Sequence, residues 1–217
     1  MPVKQDARQF FQLVRRRMPD SLTPQDAPTP FNLGLIKFTA MKDGDAEDYA
    51  VIGRLEEAHN ATFPARLIQQ LKSIGGDAFG YHVDRYAHSL QSATLAFRAG
   101  EDEETVVAAL FHDIGDAFAP HNHSQAAAAI LAPYVGEKNL WVVRHHGLFQ
   151  GYYYFHHQGK DRDARDRYRD HPYFQACADF CEKYDQPAFD PNFDTMPMEA
   201  FEPMVWRIMG KPRDPSV

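Results

Sequence analysis

From Asp45 onward the apolar positions recur at intervals of three and four, the period of helices that bury one face. In DAEDYAVIGRLEEA, acids occupy the first turn and Tyr49, Ile52 and Leu55 share a side. A second helix follows Pro64 in ARLIQQLKSI and stops at Gly75-Gly76, and a third runs from about Val83 to Phe97, before Gly100, with Leu90, Ala93 and Phe97 as its core stripe. A fourth, EETVVAALFHD, begins after Asp102 and ends before Gly115. SQAAAAILAPY and KNLWVVRHH give a fifth and a sixth, separated by Gly136, and HPYFQACADFCEKYD supplies a later one. Strand-like alternation is absent, so the pattern predicts an all-α fold. Upstream of Asp45 the pattern weakens. QDARQFFQLVRRR (5–17) suits a short amphipathic helix, after which Pro19, Pro24, Pro28 and Pro30 break any long element. The chain therefore divides into an N-terminal extension, 1–45, and a helical domain, 46–217.

Composition narrows the class. At 217 residues, with 44% apolar and 24% charged positions, the chain is long enough for one core. Thirty acids against 23 bases leave a net charge of −7, which argues against nucleic acid or an anionic membrane as partner. No apolar run approaches the roughly 20 residues of a membrane span, and MPVKQDARQFFQ lacks the core of a signal peptide. Cys177 and Cys181, four apart on one helix face, cannot staple the fold. The expectation is a reduced, cytoplasmic protein. One count stands out: of 11 histidines, nine lie between His82 and His157.

His112-Asp113 ends the apolar run Val106 to Phe111. A helix that apolar is buried nearly all round, and it carries an imidazole and a carboxylate inward with it. An unpaired buried carboxylate must take up a proton or find a counter-charge, which a divalent metal supplies. A lone His-Asp pair is also what a satisfied core histidine beside a helix-end Asp looks like, but this pair has company. His88 lies 24 residues upstream on YAHSLQSATLAF. His121 and His123 stand at a helix start, His145 and His146 at a helix end, and Asp185 where another helix gives out. Helix termini can converge at one end of a bundle, and imidazole with carboxylate suits iron, manganese, nickel or zinc.

With these residues in order, the sequence resembles the HD-domain superfamily, whose metal set is His, His-Asp, Asp, matched here by His88, His112-Asp113 and Asp185. With one histidine from each intervening pair the resemblance implies six ligands and two metals bridged by Asp113. VDRYAHSLQSATLAFRAG, VAALFHDIG and HPYFQACADFCEKYD are most similar to the mixed-valent diiron oxygenases, a group that includes myo-inositol oxygenase and the oxygenases that cleave aminoalkylphosphonates. That likeness selects Asp185 over Asp179, His123 over His121 and His146 over His145. It implies an HD-type helical bundle holding Fe(II) and Fe(III), with dioxygen and a small hydroxylated molecule as reactants. The alternative is a phosphohydrolase of nucleotides or other phosphate esters using divalent manganese, nickel or zinc; a third is a catalytically idle, metal-stabilised domain.

Three positions depart from the relatives. Asp116 stands where Lys or His often follows the HD pair, Gln150 where a Lys is expected, and Glu182 where an Arg is usual. A carboxylate at 116 facing the pocket repels phosphate or phosphonate. LFQGYYYFHH, directly after a proposed ligand, offers Tyr152, Tyr153 or Tyr154 as a pocket hydroxyl. Asp116 and Tyr152 are accordingly the candidate catalytic residues. Tyr81 and Asp84 lie close enough in sequence to reach the site from a loop. GKDRDARDRYRD, with balanced charges, reads as a solvated segment or a lid.

Overall fold

The structure, a computed structural model, describes residues 35–213. The helix expected over 5–17 and the prolines after it lie outside the described residues. All regular structure among the described residues is helical. The chain divides into two compact units between Ala58 and His59.

In the first unit, helix α1 (Ala46–Asn60) begins with Asp45, whose carboxylate accepts from the Glu47 and Asp48 amides at 2.9 and 3.0 Å. Asp48 returns the bond to the Asp45 amide and also accepts from the Lys37 amide. These reciprocal contacts satisfy donors that a helix start leaves open. Tyr49 and Leu55, expected on a core face, are exposed. The few described residues of this unit are too short a stretch to enclose a core.

In the second unit, α2 (Phe63–Ser73) starts with Pro64 in its first turn. Next come α3 (Arg85–Arg98), capped by Asp84 on the Ala87 amide, and α4 (Glu103–Phe111), capped by Asp102 on the Thr105 amide. The two pack together, and α4 is buried through every residue from Thr105 to Phe111. The buried stripe of α3 runs Leu90–Ala93–Ala96, while Phe97 is 44% exposed; the helical period holds, but its last core position is filled by the smaller residue, which lets α3 and α4 approach.

Helix α5 (His123–Leu131) packs on α6 (Glu137–Tyr154). Where KNLWVVRHH was expected to stop, α6 continues through Gly147 and Gly151, so His145 and His146 lie mid-helix. Glycine there serves packing: a Cβ on Gly147 would stand 2.8 Å from Ser124 Oγ of α5, and one on Gly151 2.4 Å from the Phe155 ring. Close approach of neighbours outweighs glycine's weak helix propensity. Helix α7 (Phe174–Phe180) passes into a π-helical turn, Cys181–Asp185. Helix α8 (Met198–Met209), which the sequence pattern did not reveal, buries Phe201 and Val205 and packs on α4 and α2.

Candidate metal centre

Three helices and two turns deliver side chains to one buried spot. His88 comes from the first turn of α3; His112 and Asp113 leave the end of α4; His146 comes from the middle of α6. His123 opens α5, next to a 3-10 turn, Ile114–Ala117. Asp185 ends the π turn, in which the Gln186 amide donates to Cys181 at 2.9 Å, a bond across five residues. That wider turn advances the chain by one residue and turns Asp185 inward, as π bulges at functional sites do. Asp179, a turn and a half earlier, is held by Lys183 and Gln175 instead.

Asp113 is the hub. Its Oδ1 lies 3.1 Å from His146 Nε2 and 3.5 Å from His123 Nε2. Its Oδ2 lies 3.7 Å from both His88 Nε2 and His112 Nε2. Asp185 Oδ1 sits 3.3 Å from His88 Nε2 and 3.7 Å from His112 Nε2. The donors thus form two sets that share one carboxylate: His88, His112 and Asp185 on one side, His123 and His146 on the other.

The outer nitrogens fix what the inner ones are. Nδ1 of His88, His112 and His146 lies 3.0, 2.7 and 2.7 Å from the carbonyls of Ala188, Ala109 and Val143. A carbonyl only accepts, so each Nδ1 carries the proton and each Nε2 of the neutral ring presents a lone pair inward. His88 and His112 then point two lone pairs at each other across 3.2 Å, with carboxylate oxygens beside them. Asp185 Oδ2 is buried and has no hydrogen-bond partner. Among the described residues, only the Arg85 guanidinium at Asp113 Oδ2 and the Gln150 amide at Asp185 Oδ1 donate into this cluster of acceptors; the remaining lone pairs require a cation or extra protons, and these ligand atoms fit a divalent or trivalent metal. Two triads, His88–His112–Asp185 and His112–Asp113–His146, each bring their ligand atoms within 4.8 Å of one another.

Without metal, protons fill that role. Burial opposes the charged imidazoles of His88 and His112, but Asp185 and Asp113 outweigh it and raise both above the ordinary value. Burial likewise opposes the Asp113 and Asp185 carboxylates, and the surrounding imidazoles reverse it, holding both below the usual range. His123 is the exception: burial lowers it, with Asp113 only partly compensating.

Asp116 does not line the cavity over this cluster. Its Oδ2 lies 2.9 Å from Arg85 Nε, in ion-pair contact though not aligned as a hydrogen bond, and its Oδ1 lies 3.4 Å from His123 Nδ1. The expected pocket-facing, phosphate-repelling carboxylate is therefore corrected to one that braces a histidine from behind. Tyr152 is likewise corrected. Its ring lies under the guanidiniums of Arg162 and Arg165, at 4.1 and 3.8 Å, and borders a different cavity with Tyr153 and Glu182, two steps and about 200° round α6 from Tyr154. Asp84 is a helix cap that also accepts from the Gly76 amide. His121 is exposed, and His145 stacks on Trp141 at 4.2 Å. Both cysteines are free and buried, Cys181 with its thiol pushed up by burial.

Sequence reasoning passed over three features. Arg85 reaches Asp113 Oδ2 at 3.3 Å, and the RYAH spacing, one turn before His88, could have flagged it. Gly115 admits the α5 backbone, since a Cβ there would stand 2.2 Å from the His123 carbonyl oxygen. The π turn has no simple sequence signature.

A cavity of about 260 Å³ opens onto Asp113, His123, His146 and Asp185. Arg85, Gln150, Gln186, Tyr153, Tyr154 and Phe189 supply much of its wall, with Tyr81 stacked on Phe189 at 4.9 Å. Residues 85–172 match the HD domain family model, a stretch that includes His88, His112-Asp113, His123 and His146 and ends before Asp185. No curated protein matches the chain.

Proposed function

We propose that this chain, with an HD domain across residues 85–172, is a diiron oxygenase that uses dioxygen to oxidise or cleave a small hydroxylated molecule. The observation that carries the reading is the disposition of donors about Asp113, whose two oxygens face separate sets of inward Nε2 atoms. His88, His112 and Asp185 would hold one iron, His123 and His146 the other, and Asp113 would join them. An Fe(II)/Fe(III) pair supplies one-electron chemistry toward dioxygen and a Lewis-acidic site for a substrate hydroxyl.

The protein's own contribution is positional. Backbone carbonyls behind four imidazoles, that of Pro120 standing 3.5 Å behind His123, fix which nitrogen faces inward, and the Asp116 carboxylate lies beside His123 Nδ1 at 3.4 Å. Arg85 spans Asp113 and Asp116, tying the shared carboxylate to the brace of His123. Tyr81 and Phe189, stacked on each other, form an aromatic wall of the cavity. Burial raises the Tyr154 hydroxyl, with Tyr81 and Asp185 adding to it, so it remains a neutral donor at the cavity edge.

Arg85 favours a second reading, hydrolysis of a phosphate ester, because it is a cation on the cavity wall. The two are separated by loading the protein anaerobically with iron, admitting oxygen, and recording oxygen uptake with polyols and amino alcohols. The oxygenase reading expects substrate-dependent uptake. No uptake, with phosphate release from nucleotides by the manganese-loaded protein, would replace it by the hydrolase.

A further inference from the structure

We propose that a second cavity, which shares Tyr153 with the one over the metal donors, is a separate binding site for a small oxyanion held by Arg165. None of the proposed metal donors borders it, so the site is independent of the chemistry at the metals. It encloses about 370 Å³ between α6, α7 and a 3-10 turn, Ala164–Tyr168, that packs on α6.

Arg165 is half-buried, and its guanidinium carbon lies 3.8 Å from the centre of the Tyr152 ring and 5.9 Å from that of Phe149. Arg162 approaches the same Tyr152 ring to 4.1 Å, so the two cations are no further apart than their distances to that ring together. Among the described residues no carboxylate pairs with either. Nearby acids are engaged elsewhere: Asp166 pairs with Arg169, and Asp161 accepts from the Asp163 amide. The Nε of Arg165 is enclosed without a partner, whereas its Nη groups are neither enclosed nor hydrogen-bonded among the described residues. The Nη pair is therefore what Arg165 offers to the cavity it lines.

Stacking on aromatic rings holds a guanidinium in one orientation, which lowers the ordering cost of a two-bond contact. A carboxylate or phosphate meets that fork with two parallel hydrogen bonds and supplies the counter-charge that Arg162 and Arg165 lack. The other charges on the lining do not reverse the preference. Arg169 and Asp166 neutralise each other. Glu182 opposes an anion, but it is exposed and stands alone against Arg165 and the neighbouring Arg162. The local balance is positive in a chain whose net charge is −7.

The test is calorimetric titration of the full-length chain with inorganic phosphate and with succinate, once metal-loaded and once after chelation. Binding should survive chelation, and the tighter probe identifies the ligand as a phosphoryl or a carboxylate compound. Arg165→Met, which keeps apolar bulk on the Tyr152 ring and removes the charge, should weaken binding about tenfold or more, the scale of charged hydrogen bonds. Arg165→Lys, which keeps the charge without the fork, should fall between the two. Glu182→Gln should tighten binding by removing the opposing charge. Thermal denaturation of the same samples shows which variants are folded; if Arg165→Met is not, Arg165→Lys and Glu182→Gln decide, and wild-type affinity in both would overturn the site. Affinity that disappears on chelation would assign the anion to the metal centre and overturn it as well. So would a folded Arg165→Met protein with wild-type affinity, or a wild-type protein that binds neither probe at millimolar concentration.

Discussion

Asp116 shows how a single side chain can be placed correctly in sequence and misread in role. Its position after the HD pair suggested a charge facing substrate; in the fold the same charge is turned to Arg85 and His123. A carboxylate behind a metal-binding histidine typically changes affinity 10–100-fold. Asp116→Ala should therefore weaken the site holding His123 and His146 by about that range while the other site fills normally, as read by metal titration. Equal filling of both sites would remove Asp116 from the centre. Tyr152→Phe makes the complementary case. The ring that Arg162 and Arg165 cover is retained, so oxygen uptake and iron content should match the wild-type protein. A large fall in kcat would return the Tyr152 hydroxyl to the active site.

At the scale of elements, the helices of the second unit were legible because their buried faces are periodic and their caps are ordinary. Asp102 and Gly136 begin helices as expected, and the apolar run Val106–Phe111 is buried as its composition dictates. Two elements were not legible, for different reasons. Helix α6 outlasts its expected end because Gly147 and Gly151 face neighbours too closely for any Cβ, and such contact is invisible in a single strand of sequence. The π turn depends on how α7 packs after Phe180, so local sequence could mark Asp185 as a helix-end residue but not show how it turns inward. The residues of the site were therefore readable as types and order; their second contacts, through Arg85, Gly115 and Gln150, were not. Gly115 offers the direct check. Because a Cβ at this position would stand 2.2 Å from the His123 carbonyl oxygen, Gly115→Ala must push α5 away. Overpacking of this kind costs about 1–3 kcal/mol, seen as a lower denaturation midpoint, and should loosen metal binding at His123 in the same variant. A wild-type midpoint with wild-type metal affinity would mean that α5 is not anchored there.

At the scale of the whole molecule, the centre links metal, protons and stability. His88 and His112 have raised pKa values without metal, so their contribution is complete below the ordinary 6.5 and is lost as pH rises through the raised values. Asp113 and Asp185 have lowered values, so theirs is present above the ordinary 3.8 and is lost as pH falls through the lowered ones. In the metal-free protein both contributions coexist between about 3.8 and 6.5. Metal must displace the imidazole protons, so its stabilising effect should grow from pH 5 to pH 8, a range of roughly three units around the histidine value. Thermal denaturation with and without metal across that range reads the trend; a metal-induced shift that shrinks with rising pH would contradict it. The central claim is that Asp113 joins two irons. The most direct measurement is a low-temperature EPR spectrum of the iron-loaded protein after partial reduction. A coupled half-integer signal from an Fe(II)/Fe(III) pair, absent from Asp113→Ala, is the predicted result. An isolated high-spin Fe(III) signal alone, the same in both proteins, would contradict it.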